Sequence, residues 1–351
     1  MPRLAIVGAG VAGCAAAWAL REDPIDVVVF EKSRGISGRA ATRRRHGCAY
    51  DHGANYFKAE EPRVETLIRR LLPTDELVSI SGDVWTFDEQ GTLHEGDPEH
   101  NRATKWTYRN GISTLGKLLL GASAADVHRQ RRVVLLEQRA AGWHLTSEGR
   151  EALGPFEAVL LTPPAPQTLT LVEDGSMEAG VRSAIRQALG GVSYRIQYSF
   201  TLAYDTPIER PAPFFGLVNP DGRHDVAWLS FENDKPGHVP SGTTLLIVQM
   251  APAWSQARYD APPEALASEA AEHASALLGI DLRQPVWTDH QRWRYALPEA
   301  RAEEEALTPV HAAGLYVAGD ALEGQGRVPL ALRSGLDAAE RIRAFLAAPR
   351  R

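Results

Sequence analysis

Apolar residues fall along this chain in three rhythms, and each rhythm predicts a different element. Short unbroken runs at residues 4–7, 27–31 and 314–320 read as strands buried on both faces, where no polar alternation is needed. Helical spacing marks residues 11–22, a helix opened by Pro62 with Val64, Leu67, Ile68 and Leu71 on one face, and 111–120 with Ser113 as its cap. It also marks 263–278 and 330–346. Strict alternation appears at 194–204, with Tyr194, Ile196, Tyr198, Phe200 and Leu202 facing one way and Arg195, Gln197, Ser199 and Thr201 the other. That predicts a half-buried antiparallel strand, joined by strands at 225–231, 243–250 and 285–296. Residues 83–87 and 92–95 read as a hairpin, and 133–138, 143–146 and 158–162 as a three-stranded meander turning at Gly142 and Gly149.

The order of these elements carries the first chemical information. The run at 4–7 leads into Gly8-x-Gly10-x-x-Gly13 and a helix, and Glu31 ends the next apolar run. This is the strand–turn–helix–strand order of a dinucleotide-binding βαβ unit. Gly8 makes the tight turn, Gly10 lets the backbone approach a pyrophosphate, and Gly13 lets the helix at 11–22 pack on its strand. The helix N-terminus offers N–H groups to phosphate, and Glu31 offers a carboxylate to ribose hydroxyls. A second strand–turn–helix lies at the other end of the chain, where Gly319-Asp320 ends the strand at 314–320 and Pro329 suits a first helical turn. The expected fold class is therefore α/β: a Rossmann-type domain built from both chain ends (1–60, 106–165, 300–351), with an inserted α+β substrate domain (61–105, 166–299) carrying an antiparallel sheet. The Pro163-Pro164-Ala165-Pro166 break marks where the chain leaves the nucleotide domain.

Three further segments carry candidate chemistry. Lys32 and the glycine-rich loop after it, Ser33–Arg39, place Gly38 and Arg39 near a pyrophosphate, whereas Arg44 and Arg45 read as a solvated face. In DHGANYF (51–57), Gly53 allows backbone to pass close to a flat ring, Asn55 can hydrogen-bond a ring carbonyl or a substrate amide, and Phe57 reads as core. In QRWRYALP (291–298), Trp293 and Tyr295 share one side of a strand and Arg294 takes the other; the aromatic pair either walls a planar substrate or packs in the core.

Bulk properties narrow the class. A chain of 351 residues suggests about two domains. The net charge of −6 gives no basis for nucleic-acid or membrane-surface binding. No apolar stretch approaches the ~20 residues of a membrane span, and the glycine motif so near Met1 leaves no leader, so a cytoplasmic location is expected. Cys14 and Cys48 do not form a disulfide framework and read as small buried residues; no zinc spacing is present, so no metal is expected.

Taken together, Gly8–Gly13 with Glu31, the Gly35–Arg39 loop and Gly319-Asp320 with its following helix resemble the FAD-dependent oxidoreductases of the amine-oxidase superfamily. Within it the chain resembles the renalase-like branch, through SRG-x-x-GR at 33–39, D-x-GA-x-YF at 51–57, RWRYA-x-P at 292–298 and GRV at 326–328. Two positions depart from that pattern: Asn55 stands where glutamine is usual, and Pro329-Leu330 replaces an acidic-glycine pair. The resemblance implies non-covalent FAD, held by Gly8, Gly10, Ala12, Gly13, Glu31, Lys32, Gly38, Arg39, Gly53, Ala54, Asn55, Val134, Gly319, Asp320, Arg327 and Val328. It implies reaction at Asn55, Tyr56 and Arg327, and a substrate against Tyr194, Trp293, Arg294 and Tyr295. The implied activity is oxidation of 2- and 6-dihydro isomers of NAD(P)H to NAD(P)+, with O2 as acceptor and hydrogen peroxide as product. Other members of the superfamily suggest an amine oxidase or a desaturase or isomerase, and a flavin-binding protein without catalysis is the alternative of a different class.

Overall fold

The computed structural model describes residues 1–348. A five-stranded parallel sheet has the spatial order Leu315–Val317, Ala158–Leu161, Arg3–Val7, Asp26–Glu31, Asp126–Arg129. Apart from the edge strand Asp126–Arg129, its strands lack polar alternation because both faces are covered. Leu4, Ile6, Val27, Val29 and Leu160 face a core made with the helices Val11–Ala19, Thr114–Gly121 and Val328–Ala347. Ala5, Val7, Val28, Phe30, Val159 and Leu161 face a second core, under the helices Ala165–Asp174 and Ala179–Leu189 and the three-stranded sheet that starts at Val133. The first and last helices cross closely at Gly335, where a Cβ would stand 2.2 Å from the Ala12 carbonyl oxygen.

The meander is corrected in one respect. Its third strand is Ala152–Phe156, and Ala158–Leu161 instead pairs in parallel with both chain-end strands. An unbroken apolar run fits either place; parallel pairing needs it, because that strand is buried on both sides. The Pro62 helix is also shorter than its pattern implies. Pro62–Thr66 passes into a π-helical turn over Leu67–Leu71, and this leaves Leu71 52% exposed instead of in the core. Ser113 precedes its helix, but its side chain makes no cap bond.

The second sheet has seven strands, ordered Trp287–Pro298, Tyr194–Tyr204, Thr244–Met250, Val226–Phe231, Phe214–Val218, Asp83–Phe87, Leu93–His94. On one face Tyr198, Phe200, Leu202, Leu246 and Val248 pack under the helix Pro263–Leu278. The other face is not solvated as alternation predicts. The hairpin Thr42–Arg45/Cys48–Asp51 lies across it, so Ala203, Leu245 and Ile247 meet Cys48 and Tyr50. The chain then runs on over the same face as the 51–57 loop, which brings Tyr56 against Phe215 and Trp228.

Candidate active site

The glycine turn is built as its sequence requires. Gly8 has φ +104° and donates its N–H to the Phe30 carbonyl at 2.8 Å. A Cβ on Gly13 would stand 2.1 Å from the Gly8 carbonyl oxygen, so only glycine fits where helix meets turn. Gly10 differs: among the described residues, no atom beyond its immediate chain neighbours lies within 4 Å of the place its Cβ would occupy. The space beside Gly10 is thus open, at the N-terminus of the Val11–Ala19 helix.

The Ser33–Arg39 loop folds back on this turn. Ser37 donates its N–H to the Ala9 carbonyl at 2.7 Å, and Gly38, with φ +60°, sits against Gly10. The buried Glu31 carboxylate accepts the N–H groups of Ala9 and Ser33, each at 2.8 Å. The Arg131 N–H binds the Glu31 carbonyl, which ties in the segment leading to Val134, an exposed apolar side chain at a register irregularity of its strand. Lys32 donates to Gln167 at 3.1 Å.

Arg39 joins the two ends of the chain. Its guanidinium lies 2.7 Å from the buried Asp320 carboxylate and also donates to the carbonyls of Tyr295 and Ala296. Those two residues lie in an irregularity of the Trp287–Pro298 strand, between the pairs Arg195↔Leu297 and Gln197↔Trp293. Gly319, with φ +136°, donates to the Ser334 hydroxyl and so docks the turn on the last helix. Arg327 is the exposed residue before that helix, and Val328 begins it, buried.

Gly53 is required by contact. A Cβ there would be 2.0 Å from the Arg39 carbonyl oxygen, which accepts the Ala54 N–H at 3.0 Å. Gln249 donates to the Gly53 carbonyl at 2.8 Å. The Asn55 side-chain oxygen is buried and has no hydrogen-bond partner among the described residues, a costly arrangement unless a ligand supplies the donor. Burial raises the pKa of the Tyr56 hydroxyl, and the positive charge of Arg327 opposes the rise. Phe57 is core.

The aromatic pair separates. Trp293 stacks on His52 at 5.5 Å and 12°, donating its indole N–H to the His52 carbonyl, while Tyr295 meets Tyr194 edge-on at 5.7 Å. Arg294 lies exposed, its guanidinium 5.9 Å from the Tyr259 ring, so it does not join the Trp293 wall. Arg43 turns away from the glycine loop to Asp289, Gln291 and the His290 carbonyl. Arg45 is solvated as expected, with one bond to the Thr288 carbonyl.

His52, Gln249 and Trp228 were not legible as site residues. His52 follows a strand of ordinary appearance, and the other two show only alternation. Burial, aided by Arg43, pushes the His52 imidazole down to about 4, so it is neutral near pH 7.

The open space at Gly10, the buried acid at Glu31, the Arg39–Asp320 pair and the unpartnered Asn55 oxygen fit a bound dinucleotide, and a flavin dinucleotide meets these terms. The class of protein is thus an FAD-dependent oxidoreductase. Family comparison agrees: residues 82–343 match the flavin containing amine oxidoreductase model and residues 6–71 the NAD(P)-binding Rossmann-like domain model. The chain belongs to the flavin-containing amine oxidoreductase family, and its cofactor is FAD.

Among curated proteins, protoporphyrinogen oxidase 2 of Arabidopsis thaliana is 39% identical over 66 residues, 19% of this chain and 13% of that protein. The mitochondrial protoporphyrinogen oxidase of Nicotiana tabacum is 38% identical over 69 residues, 20% and 14%. The matched stretch is therefore a small part of either relative. Among solved structures, a candidate protoporphyrinogen oxidase from Exiguobacterium sp. 255-15 superposes with TM-score 0.79 at 17% identity, covering 98% of this chain and 99% of that one. Putrescine oxidase bound to putrescine gives 0.74 at 15%, with coverage of 98% and 99%. A fatty acid isomerase from P. acnes gives 0.71 at 13%, with coverage of 97% and 98%. These structures share the fold. Among the described residues no helix is long and apolar enough to cross a membrane.

Proposed function

We propose that this protein is an oxidase of dihydronicotinamide dinucleotides, converting 2- and 6-dihydro isomers of NAD(P)H to NAD(P)+ with O2 as the electron acceptor. The observation that supports this reading most is the charge beside Tyr56. Arg327 is an exposed cation at the start of a long helix, whose N-terminus adds positive potential. Such a wall attracts a phosphate-bearing substrate and repels an ammonium.

Non-covalent FAD, when bound, supplies the hydride acceptor and the route by which two electrons reach O2, giving hydrogen peroxide. The protein's part is placement. Gly8, Gly10, Ala12, Gly13 and Glu31 form the dinucleotide turn, with Lys32, Gly38, Arg39, Val134, Gly319, Asp320 and Val328 around it. Gly53 and Ala54 keep the loop flat, and the Asn55 oxygen accepts a donor from the ligands. Trp293, Tyr295 and Tyr194 supply aromatic surface, and Arg327 meets a substrate phosphate. Loss of hydride from a dihydropyridine leaves an aromatic pyridinium, so no base has to remove a proton. Stacking and angle are what the side chains must provide.

The second reading is amine oxidation, favoured by the family match over residues 82–343. The test is anaerobic mixing of the yellow protein with 6-dihydro-NAD and, separately, with putrescine, following absorbance near ~450 nm. Bleaching by the dinucleotide, reversed by air with peroxide formed, supports the proposal. Bleaching by the amine alone overturns it. Arg327→Ala should raise KM for the dinucleotide by roughly tenfold, the worth of one charge-assisted hydrogen bond.

A further inference from the structure

Behind the 51–57 loop lies a cluster of four ionisable side chains with no solvent exposure: Asp51, Glu232, Lys235 and His238. Asp51 is the residue from which the loop departs. One of its carboxylate oxygens accepts the Thr42 hydroxyl at 2.7 Å and the Ile112 N–H at 2.9 Å. The other accepts the Thr107 hydroxyl at 3.2 Å and the Lys235 ammonium at 3.0 Å. Lys235 also lies 2.7 Å from one oxygen of Glu232. The other Glu232 oxygen receives the Asp51 backbone N–H at 3.1 Å and stands 3.0 Å from Nδ1 of His238. Nε2 of His238 is 3.0 Å from the Tyr108 carbonyl oxygen.

These partners fix the protonation of His238. A backbone carbonyl can only accept, so Nε2 must carry hydrogen. Glu232 faces the Lys235 ammonium and the Asp51 N–H, both of which favour its carboxylate form, so the proton between Oε2 and Nδ1 is assigned to Nδ1. His238 is an imidazolium, and the cluster is neutral: two carboxylates, one ammonium, one imidazolium. Asp51, Glu232 and His238 alone have the composition of a cation site, their ligand atoms lying within 4.8 Å of one another. The ammonium of Lys235 already holds that place.

We propose that this cluster is a positioning device for the cofactor loop, working only while His238 keeps its proton, so that FAD retention falls as pH rises above neutrality. The proposal rests on FAD binding and not on the substrate reading. The connection is mechanical. The His238 carbonyl accepts the Ala49 N–H at 2.7 Å, so the cluster grips the strand Cys48–Asp51 by main chain as well as by Asp51. At the far end, Phe57 and Trp106 exchange main-chain bonds. Between these anchors lie Gly53, Ala54 and the unpartnered Asn55 oxygen.

The groups around His238 are few. Glu232 and Lys235 share its segment, and Asp51, Cys48 and Tyr50 come from the gripped strand. Tyr108 comes from the strand Lys105–Tyr108, and Arg109 packs on Gly237. Burial raises Cys48, Tyr50 and Tyr108, so none of them adds a negative charge near pH 7. Burial disfavours the His238 charge, but the Glu232 hydrogen bond and the Asp51 and Glu232 charges outweigh it and raise its pKa. Burial likewise opposes ionisation of Asp51, yet Lys235 and His238 hold it below the usual value. The sign follows. Support from a group with a raised pKa is complete below the ordinary histidine value and is lost as pH rises through the raised one. Deprotonation then leaves a net negative charge with no solvent to screen it.

The experiment measures FAD release from the holoenzyme by flavin fluorescence from pH 6 to 10, with 15N NMR of the His238 ring over the same range. We expect a doubly protonated ring at pH 7, and an FAD dissociation constant that climbs by up to about tenfold per pH unit as that proton leaves. His238→Gln should release FAD at least tenfold more readily than wild type at pH 7, with a flat profile. His238→Gln with Glu232→Gln restores neutrality and should recover FAD binding while staying flat. A singly protonated ring at pH 7 overturns the proposal, as does wild-type pH dependence in His238→Gln. Should the variants not fold, the wild-type ring titration and release profile decide alone: a flat profile overturns the proposal.

Discussion

Gly10 and Gly13 are three residues apart in one motif, yet the structure assigns them different costs on replacement by alanine. A Cβ at Gly13 would meet the Gly8 carbonyl oxygen at 2.1 Å and an Ile6 methyl at 3.2 Å. Both belong to the buried turn, so helix and strand must separate. Overpacking of this kind costs ~1–3 kcal/mol, and here the obstacle is backbone, which places Gly13→Ala at the upper end. At Gly10 the new methyl meets nothing within 4 Å, and the backbone, at φ −72° and ψ 176°, is one alanine adopts freely. Gly10 is also the N-cap, where alanine is somewhat less favourable than glycine. The reduced freedom of the unfolded chain offsets part of this, so stability should change by less than ~0.5 kcal/mol. The two variants therefore separate fold from ligand. In thermal unfolding without FAD, Gly10→Ala should melt with the wild type and Gly13→Ala several degrees lower. In FAD titration, Gly10→Ala should bind at least ~10-fold more weakly, because a methyl at a phosphate contact costs ~1–3 kcal/mol. Wild-type FAD affinity in Gly10→Ala would refute the reasoning, since the pyrophosphate could not then pass the open face of that residue.

Three further outcomes are expected. Asp320→Ala removes the partner of Arg39 at 2.7 Å and should lower FAD occupancy, read from the ratio of flavin to protein absorbance after gel filtration; full retention would contradict its placement. Asn55→Ala should leave FAD bound but slow its anaerobic reduction by roughly 5–10-fold, the worth of one hydrogen bond in a buried site; unchanged kinetics would remove Asn55 from the reaction. Cys14 is fully buried, and burial pushes its thiol up to about 12, so it should resist alkylation by iodoacetamide in the native protein and react only on denaturation, as mass spectrometry of the Cys14 peptide would show.

The dinucleotide turn was legible because its constraints are local: Gly8, Gly10 and Gly13 act within one turn, and Glu31 reaches back to the Ala9 N–H through the adjacent strand. The strand Ala158–Leu161 lies outside the meander its position suggests, because an apolar run states burial without naming the neighbour. Its partners lie at opposite ends of the chain. The alternating segment Tyr194–Tyr204 has the pattern of a half-buried strand although both faces are covered, because the hairpin over its polar face is rich in arginine and such a segment looks solvated. The buried cluster was hidden for the same reason. FENDKPGH has the composition of an exposed turn, and only folding brings Lys235 to Asp51, 184 residues earlier.

The arginines between residues 39 and 45 have a consequence outside the active site. The strand Trp287–Pro298 forms one margin of the seven-stranded sheet, and a long free margin is a template on which a second molecule can add a strand. Here Arg39 occupies the carbonyls of Tyr295 and Ala296, Arg43 that of His290 and Arg45 that of Thr288. The opposite margin, Leu93–His94, is two residues long and too short to serve. The basic segment thus occupies main-chain acceptors along that margin, and neutralising Arg43 and Arg45 together should promote intermolecular β-pairing, which size-exclusion chromatography would show.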